Sequence, residues 1–254
     1  MLTRQKTDRE PIIKKIFKSG TLEQARQQVD PTWRGVYRTG GVCLFVSGLI
    51  FLAVAVLSML LGPAPSGGEE YLKSLAAHSL LARINFGIYA LSDFLMLPVI
   101  LAFFLTLKQV DKNAMLVAGG LLILYIIFDF AITELNSLTL VALTQNYAAA
   151  ATAALRSAYV AAADYALATL PIATFCSFAV SSVGLIITGL VMLKGVFSRP
   201  NALLGIVAGI EGTLGAFYVI FPPLAALLIP ALITYGLWAL LGGVRLFQLG
   251  RRLA

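Results

Sequence analysis

The chain has 254 residues, of which 59% are hydrophobic and only 12% are charged, whereas roughly 25% of the residues in an average soluble protein are charged. This balance argues against a soluble enzyme and is typical of a polytopic membrane protein. The formal net charge of +7 would suit either nucleic acid or anionic lipid, so the positions of the basic residues have to decide between them.

Six apolar segments are long enough to cross a hydrocarbon core of roughly 30 Å, which takes about 20 helical residues. They predict an all-α fold with six transmembrane helices. The third and fourth are longer than the core requires, so we expect them to tilt or to project beyond it. The six segments are Gly40–Leu61, Ile84–Leu107, Ala114–Leu143, Tyr165–Leu193, Asn201–Ile220 and Leu224–Val244.

The lysines and arginines indicate how these spans are oriented. With the N-terminus inside, nine of them precede the first span and seven lie in later cytoplasmic segments, so sixteen are inside and three are outside: Lys73, Arg83 and Arg156. Loops rich in lysine and arginine remain in the cytoplasm. Both termini are therefore predicted to be cytoplasmic.

Residues 1–38 form a basic N-terminal segment that precedes the predicted bundle of residues 39–254. Between residues 12 and 18, isoleucines and a phenylalanine alternate with three lysines. This pattern suits a short helix on an anionic inner leaflet, and docking to a partner protein is the alternative. Nucleic acid is not an expected partner, because the segment offers no folded basic surface with aromatic or groove-reading residues.

Two connections on the predicted outer side are long enough to contain helices. The first, at about residues 69–83, reads EEYLKSLAAHSLLAR and has its apolar residues near one helical face. The second, at about residues 147–163, is alanine-rich and also favours a helix. We expect both to lie on the outer surface as a partial lid.

The motifs of common membrane enzymes and metalloproteins are missing from the sequence. His78 is the single histidine, and there is no HExxH, CxxC or phosphate-binding GxxxxGK[ST]. We therefore predict no enzyme activity, no catalytic residue, no metal site and no cofactor.

Four acidic residues lie inside the apolar spans: Asp93, Asp129, Glu134 and Glu211. An ionisable group at this depth is rare and usually faces the bundle interior or a water-filled cavity. Counting the helical rise puts Asp129 roughly 22 Å and Glu134 roughly 30 Å from the cytoplasmic side. Glu134 is therefore predicted near the outer boundary, apart from Asp129.

The third span carries a polar stripe. Asp129, Thr133, Asn136 and Ser137 follow the i, i+4, i+7, i+8 pattern of one helical face. At 100° per residue, Glu134 stands about 140° away from Asp129. We expect the stripe to face the protein interior, because lipid cannot satisfy its hydrogen bonds.

These residues define a candidate pocket and a candidate rim. On the second span, Asn85, Tyr89 and Ser92 are expected to supply hydrogen-bond donors. The candidate pocket consists of Asp93, Asp129, Thr133, Asn136 and Glu211. The candidate outer rim consists of Glu134, Arg83, Arg156 and Asp164.

Two interpretations of the buried acids stay open. In the first, the acids are protonated or hydrogen-bonded and hold helices together. In the second, they belong to an outward-opening pocket that binds a small cationic or amphiphilic ligand, or that passes a proton or an ion.

The fifth span carries a face of small residues that allows close approach of another helix. We expect this face to pack within the bundle, with dimerisation as the alternative. The face consists of Gly205, Gly209, Gly212 and Gly215.

The C-terminal half resembles a known family of membrane proteins. Arg199-Pro200 is followed by the glycine-rich Leu204–Gly209, and a later span contains Trp238 and exits through Gly243–Leu246. This arrangement resembles the bacterial and archaeal multi-helix proteins catalogued as domain of unknown function 4386. The resemblance covers spans two to six. It implies six helices and a prokaryotic cytoplasmic membrane, but no activity, substrate or catalytic residue.

The sequence thus predicts a non-enzymatic integral membrane binding or accessory protein. Its pocket is expected to hold a lipid-like or cationic ligand, or a side chain of a membrane protein partner. A proton- or cation-coupled transporter that uses the same acids is the first alternative. A subunit of a larger membrane complex and an enzyme acting on lipid are the others.

Overall fold

The computed structural model describes residues 29–62, 65 and 67–252. All regular secondary structure within these ranges is helical. The amphipathic helix predicted between residues 12 and 18 lies outside the described residues. The first long helix begins at Arg34, before the predicted start of the bundle at residue 39.

Eight α-helices and one π-helical segment make up most of the described chain. The π-helical segment is Asp129–Glu134, and three short 3₁₀ turns flank the first, seventh and eighth α-helices. The α-helices are α1 Arg34–Leu61, α2 Gly68–Ala77, α3 Ser79–Leu107, α4 Lys112–Phe128, α5 Leu135–Ala149, α6 Ala153–Met192, α7 Arg199–Ala216 and α8 Leu228–Arg252.

Six helices are long and apolar enough to cross a membrane, which confirms the predicted number of spans. α4, the π-helical segment and α5 run on from one another as a single span of 38 residues, and α6 alone has 40 residues. At 1.5 Å per residue, 40 residues extend roughly 60 Å, twice the hydrocarbon thickness. The third and fourth spans are therefore the longest, as predicted.

The two long connections differ from each other. The first connection contains α2, which ends at Ala77, and the remaining residues of the predicted helix from Ser79 onward already belong to α3. The second connection contains no separate helix, because its residues extend α5 and α6 on either side of a short turn. At this turn Ala150 is extended, and the Thr152 hydroxyl accepts from the Leu155 amide at 3.2 Å and so caps α6.

The core near the start of α1 is close-packed. Trp238 is 1% exposed and stacks on Phe103, with ring centres 5.4 Å apart. α1 and α8 approach through glycines, so that a Cβ on Gly243 would lie 2.7 Å from the carbonyl oxygen of Gly41. Arg245 donates two hydrogen bonds to the Val196 carbonyl, at 2.9 Å and 2.7 Å, and ties α8 to the turn before α7.

The glycine face of α7 packs against helices of the same chain. Gly205 lies under the Trp238 ring on α8, Gly209 and Gly212 lie against Ser182 on α6, and Gly215 lies against α8 near Leu228. These contacts agree with the expectation that the face packs within the bundle.

At the other end of the bundle, α2 covers α5 and α6. Apolar side chains of α2 join a small core with side chains of α3, α5 and α6. The Asp164 carboxylate accepts the Gly68 amide at 2.7 Å, and the Tyr147 hydroxyl donates to Glu69 at 2.9 Å. Hydrogen bonds at the first turn of α2 therefore fix this helix across the bundle.

Candidate intramembrane acid site

Three acidic side chains, Asp93, Asp129 and Glu134, are buried in the middle of the bundle. Their exposed fractions are 0%, 1% and 2%. Asp93 lies near the middle of α3, whereas Asp129 and Glu134 are the first and last residues of the π-helical segment. α3 and α6 both contact this segment, so the acids lie between neighbouring spans.

The π-helical segment brings Asp129 and Glu134 to one side of their span. In a π-helix the backbone bonds residue i to residue i+5, so residues five apart lie above one another. The charges of Asp129 and Asp93 both act on Glu134. The predicted place of Glu134 on the outer rim is not supported, because its side chain is 2% exposed. The predicted angle of about 140° from Asp129 assumed 100° per residue, which does not apply to a segment that is π-helical.

Two tyrosines connect Asp93 with Asp129. The Tyr125 hydroxyl donates to Oδ1 of Asp93 at 2.9 Å. The Tyr89 and Tyr125 side chains lie near each other and near the Asp129 carboxyl group, without a regular hydrogen bond to it. Because a phenol can both donate and accept, the two rings and the two acids form one polar layer across α3 and α4.

The surroundings of Asp129 are polar but incompletely bonded. The hydroxyls of Thr133 and Ser177 also lie close to its carboxyl group. Neither carboxyl oxygen of Asp129 makes a regular hydrogen bond with the described residues, and both hydroxyls lack a partner as well. A buried polar atom without a partner costs about 1–3 kcal/mol, so the layer is a place where a proton or a ligand would be stabilising.

No basic side chain of the described chain forms an ion pair with these acids. Neither Asp93, Asp129 nor Glu134 has such a contact in residues 29–62, 65 and 67–252. The charge of Asp129 also acts on Asp93. Three ionised carboxylates would repel one another where water is scarce, so the cluster requires protons or a cation to balance its charge.

A cavity of about 60 Å³ lies next to the polar layer, and all six spans contribute to its wall, although none of the three acids lines it. Tyr89 and Tyr125 belong both to this wall and to the polar layer. Phe51 and Tyr235 add two further rings, whose centres are 4.5 Å apart. The face of an aromatic ring is negative and attracts cations. The aromatic wall and the acids therefore both favour a cationic ligand.

The π-helical segment separates two residues that were predicted on the stripe of Asp129. Thr133 lies beside the Asp129 carboxyl group. Asn136 instead donates to the Thr169 hydroxyl on α6 at 3.0 Å. Asn136 therefore links two helices and is not in contact with the acids.

Glu211 does not join the other three acids. It lies on α7, one residue from the Gly212 contact with α6. It is not among the charges that act on Asp93 or Glu134. Its Oε2 is buried without a hydrogen-bond partner in the described residues, so it is a separate intramembrane acid.

Two of the three residues predicted to share the rim with Glu134 have hydrogen-bond partners of their own. Arg156 donates to the Ala150 carbonyl at 3.3 Å, and Asp164 accepts the Gly68 amide. Arg83 is exposed and lines a small cavity of about 20 Å³ next to Thr144. These residues belong to the α2 end of the bundle.

The donors expected on α3 are only partly used. Tyr89 joins the polar layer, whereas the Ser92 hydroxyl donates back to the Tyr89 carbonyl at 2.6 Å. Asn85 is buried, and its Oδ1 has no partner in the described residues.

Sequence reasoning overlooked Tyr125, Ser177 and Tyr235. One signal could have indicated the tyrosines, since membrane tyrosines concentrate at the two interfaces and these two stand well inside their spans. Ser177 gives no comparable signal, because isolated serines are common in transmembrane helices.

Within the described ranges, no group of three histidine, cysteine, aspartate or glutamate side chains is placed to hold a metal ion. Comparison of the chain with protein-family models, with curated proteins and with solved structures finds no match. The resemblance to domain of unknown function 4386 therefore stays a prediction, and the geometry alone has to support a function.

Proposed function

We propose that this protein is a non-enzymatic membrane protein that binds a small cationic group between its six spans. The cluster of Asp93, Asp129 and Glu134 carries this proposal, because these three buried carboxyl groups interact and no described lysine or arginine pairs with them. A cation would replace the missing counter-charge, and a primary amine that reached Asp129 would also donate N–H groups to its orphaned oxygens.

The aromatic wall supports an organic cation as the ligand. Phe51, Tyr89 and Tyr235 surround the cavity, and Phe51 lies 5.7 Å from Tyr89 and 4.5 Å from Tyr235 between ring centres. Rings arranged in this way commonly bind ammonium groups.

The size of the cavity restricts what enters it. A volume of about 60 Å³ accommodates an ammonium group or a few water molecules, each of which takes roughly 30 Å³ in the liquid. A long apolar tail would have to pass between helices into the lipid. The ligand is therefore a small amine or the head of an amphiphilic amine.

The proposal includes an orientation of the protein in the membrane. Following the distribution of lysine and arginine, we place both termini in the cytoplasm and the α2 end outside, in the inner membrane of a prokaryote. In this orientation the acid cluster is enclosed within the bundle, since its three side chains are 0–2% exposed, and the basic N-terminal residues are on the cytoplasmic side.

A binding experiment tests this function. Purified full-length protein in a neutral detergent is titrated with methylammonium and tetramethylammonium by calorimetry. We expect saturable binding, and we expect Asp129→Asn and Glu134→Gln each to weaken it about tenfold, which corresponds to 1.4 kcal/mol.

Glu211→Gln is the matched control, because it removes an intramembrane acid outside the cluster. Its affinity for the two amines should stay unchanged. The absence of saturable binding, or an equal loss in the control, would contradict the proposal. If the cluster variants fail to fold, as judged by thermal unfolding, the acids serve to hold the helices together.

A cation- or proton-coupled transporter is the second candidate, and the π-helical segment in the third span favours it. π-helical turns inside α-helices occur frequently at functional sites, and this one begins at Asp129. In proteoliposomes, a pH gradient should then drive tetramethylammonium uptake, and Asp129→Asn should abolish it. Binding without uptake would favour the accessory role.

A further inference from the structure

A second cavity lies at the end of the bundle opposite α2, on the surface between α1 and α8. Its volume is about 460 Å³, and it lies next to the first turns of α1. Its wall consists of Gly35, Arg38, Thr39, Val42, Cys43 and Phe247. None of these residues belongs to the acid cluster or to the central cavity.

Arg38 is the charged group of this groove. Its guanidinium carbon stands 5.8 Å from the centre of the Phe247 ring. Its stem lies against Gly250, where a Cβ would come within 2.6 Å of the Arg38 Cγ. No described carboxylate pairs with Arg38. Packing on the ring holds the guanidinium in place and leaves its N–H groups able to bind an anion.

The charges near the groove are mainly positive. Arg34 precedes Arg38 by one helical turn, and Arg251 follows Phe247 by one turn on α8. The two described acids near this end have partners already. Asp30 accepts from the Thr32 amide and hydroxyl at 2.9 Å and 2.7 Å, and the Asp111 carboxylate caps α4 through the Ala114 amide at 2.9 Å.

An apolar stripe continues from the groove along α1. Val42, Val46 and Leu49 follow Arg38 with helical spacing and are 49%, 36% and 50% exposed. Trp33 is 41% exposed just before α1, where an aromatic residue marks the membrane interface. A phosphate at Arg38 would thus sit at the interface, with an apolar track leading into the bilayer.

We propose that this groove binds an anionic phospholipid, whose phosphate contacts Arg38 and whose acyl chain lies along Val42, Val46 and Leu49. Charge complementarity selects an anion, and the apolar stripe selects a lipid in preference to free phosphate. Basic pockets between transmembrane helices on the cytoplasmic side bind anionic headgroups in this way. The site does not depend on the cationic ligand proposed above.

Lipid retention tests the proposal. Full-length protein in neutral detergent is mixed with vesicles of phosphatidylglycerol and phosphatidylcholine in equal amounts, repurified and examined by native mass spectrometry. We expect one phosphatidylglycerol to be retained preferentially. Arg38→Gln should reduce this retention roughly fivefold, the effect of one interfacial arginine, and Arg38→Lys should reduce it less.

Arg199→Gln is the matched control, since it removes an exposed arginine at the same end but outside the groove. It should retain phosphatidylglycerol like the unaltered protein. Equal losses in Arg38→Gln and Arg199→Gln would overturn the proposal in favour of general surface charge. Retention that is unchanged in Arg38→Gln, or that excess inorganic phosphate abolishes, would also overturn it.

Discussion

The end of the bundle near Arg34 and the middle of the bundle are built in opposite ways. Near Arg34, helices meet at glycines with almost no space between backbones, and Trp238 stacks on Phe103. In the middle, buried carboxyl groups lack partners and a cavity interrupts the packing, whereas the partnerless polar atoms near Arg34 are uncharged, such as the Tyr37 hydroxyl. The comparison suggests that the first region supplies stability and the second gives some of it up for a site.

The two regions also differ in helix geometry. α1 and α8 are α-helical throughout their contact, whereas the third span changes to a π-helix at the acids. π-helical turns inside α-helices occur frequently at functional sites. The substitutions below test whether the two regions respond as differently as their packing indicates.

The largest effect is expected where α1 and α8 touch. In Gly243→Ala, the new Cβ would lie 2.6 Å from the Phe45 amide nitrogen and 2.7 Å from the Gly41 carbonyl oxygen. Both are backbone atoms that cannot rotate away, so the two helices must separate. We expect a loss of about 3 kcal/mol of unfolding free energy, as for severe overpacking, measured by reversible unfolding in detergent.

Gly120→Ala is the control for this substitution. Gly120 lies inside α4 and has no atom within 4 Å of its would-be Cβ. Removing a helical glycine there should stabilise the protein by about 0.5–1 kcal/mol. If both variants lost equal stability, the close contact between α1 and α8 would not be the cause.

The opposite sign is expected in the middle of the bundle. Asp129→Leu removes two buried oxygens without partners and one of three mutually repelling carboxyl groups. A buried polar group without a partner costs about 1–3 kcal/mol, so we expect the substitution to stabilise the protein by about 2 kcal/mol. The same variant should lose amine binding. A destabilised Asp129→Leu protein would mean that the acid holds the helices together.

The sequence was sufficient to predict the spans because their signal is local. A run of about 20 apolar residues has few alternatives to a transmembrane helix, and the six runs appear as six helices. The same holds for α2, whose apolar residues repeat with helical spacing. The boundaries could not be predicted as closely, because Arg34–Thr39 continue α1 although they include two arginines.

The site could be predicted only in part, because it depends on helix geometry and on packing. The sequence identifies the acids because an ionisable group is costly in a membrane, and three of the four, Asp93, Asp129 and Glu134, are buried in the bundle. Their arrangement was missed, since the π-helical segment Asp129–Glu134 changes which residues share a face. The aromatic wall was also missed, because rings such as Phe51 and Tyr235 meet only after distant spans have packed.

The smallest effect is expected at α2, which covers the middle region from outside. Glu69 pairs with Lys73 at 2.7 Å and accepts the Tyr147 hydroxyl at 2.9 Å, and these contacts lower the pKa of Glu69. A lowered pKa in the folded state stabilises the fold above the usual carboxyl range, and that stabilisation is lost as pH falls through the lowered pKa. Because Glu69 is solvent-exposed, the effect is local.

Hydrogen exchange of the α2 amides measures this effect. Glu69→Gln at neutral pH should speed the exchange, whereas Glu70→Gln should not. Acidification should speed it as well, once the rates are corrected for the intrinsic pH dependence of exchange. Equal exchange in both variants would mean that the apolar contacts of Leu72 and Leu75, and not the Glu69 bonds, hold α2 on the bundle.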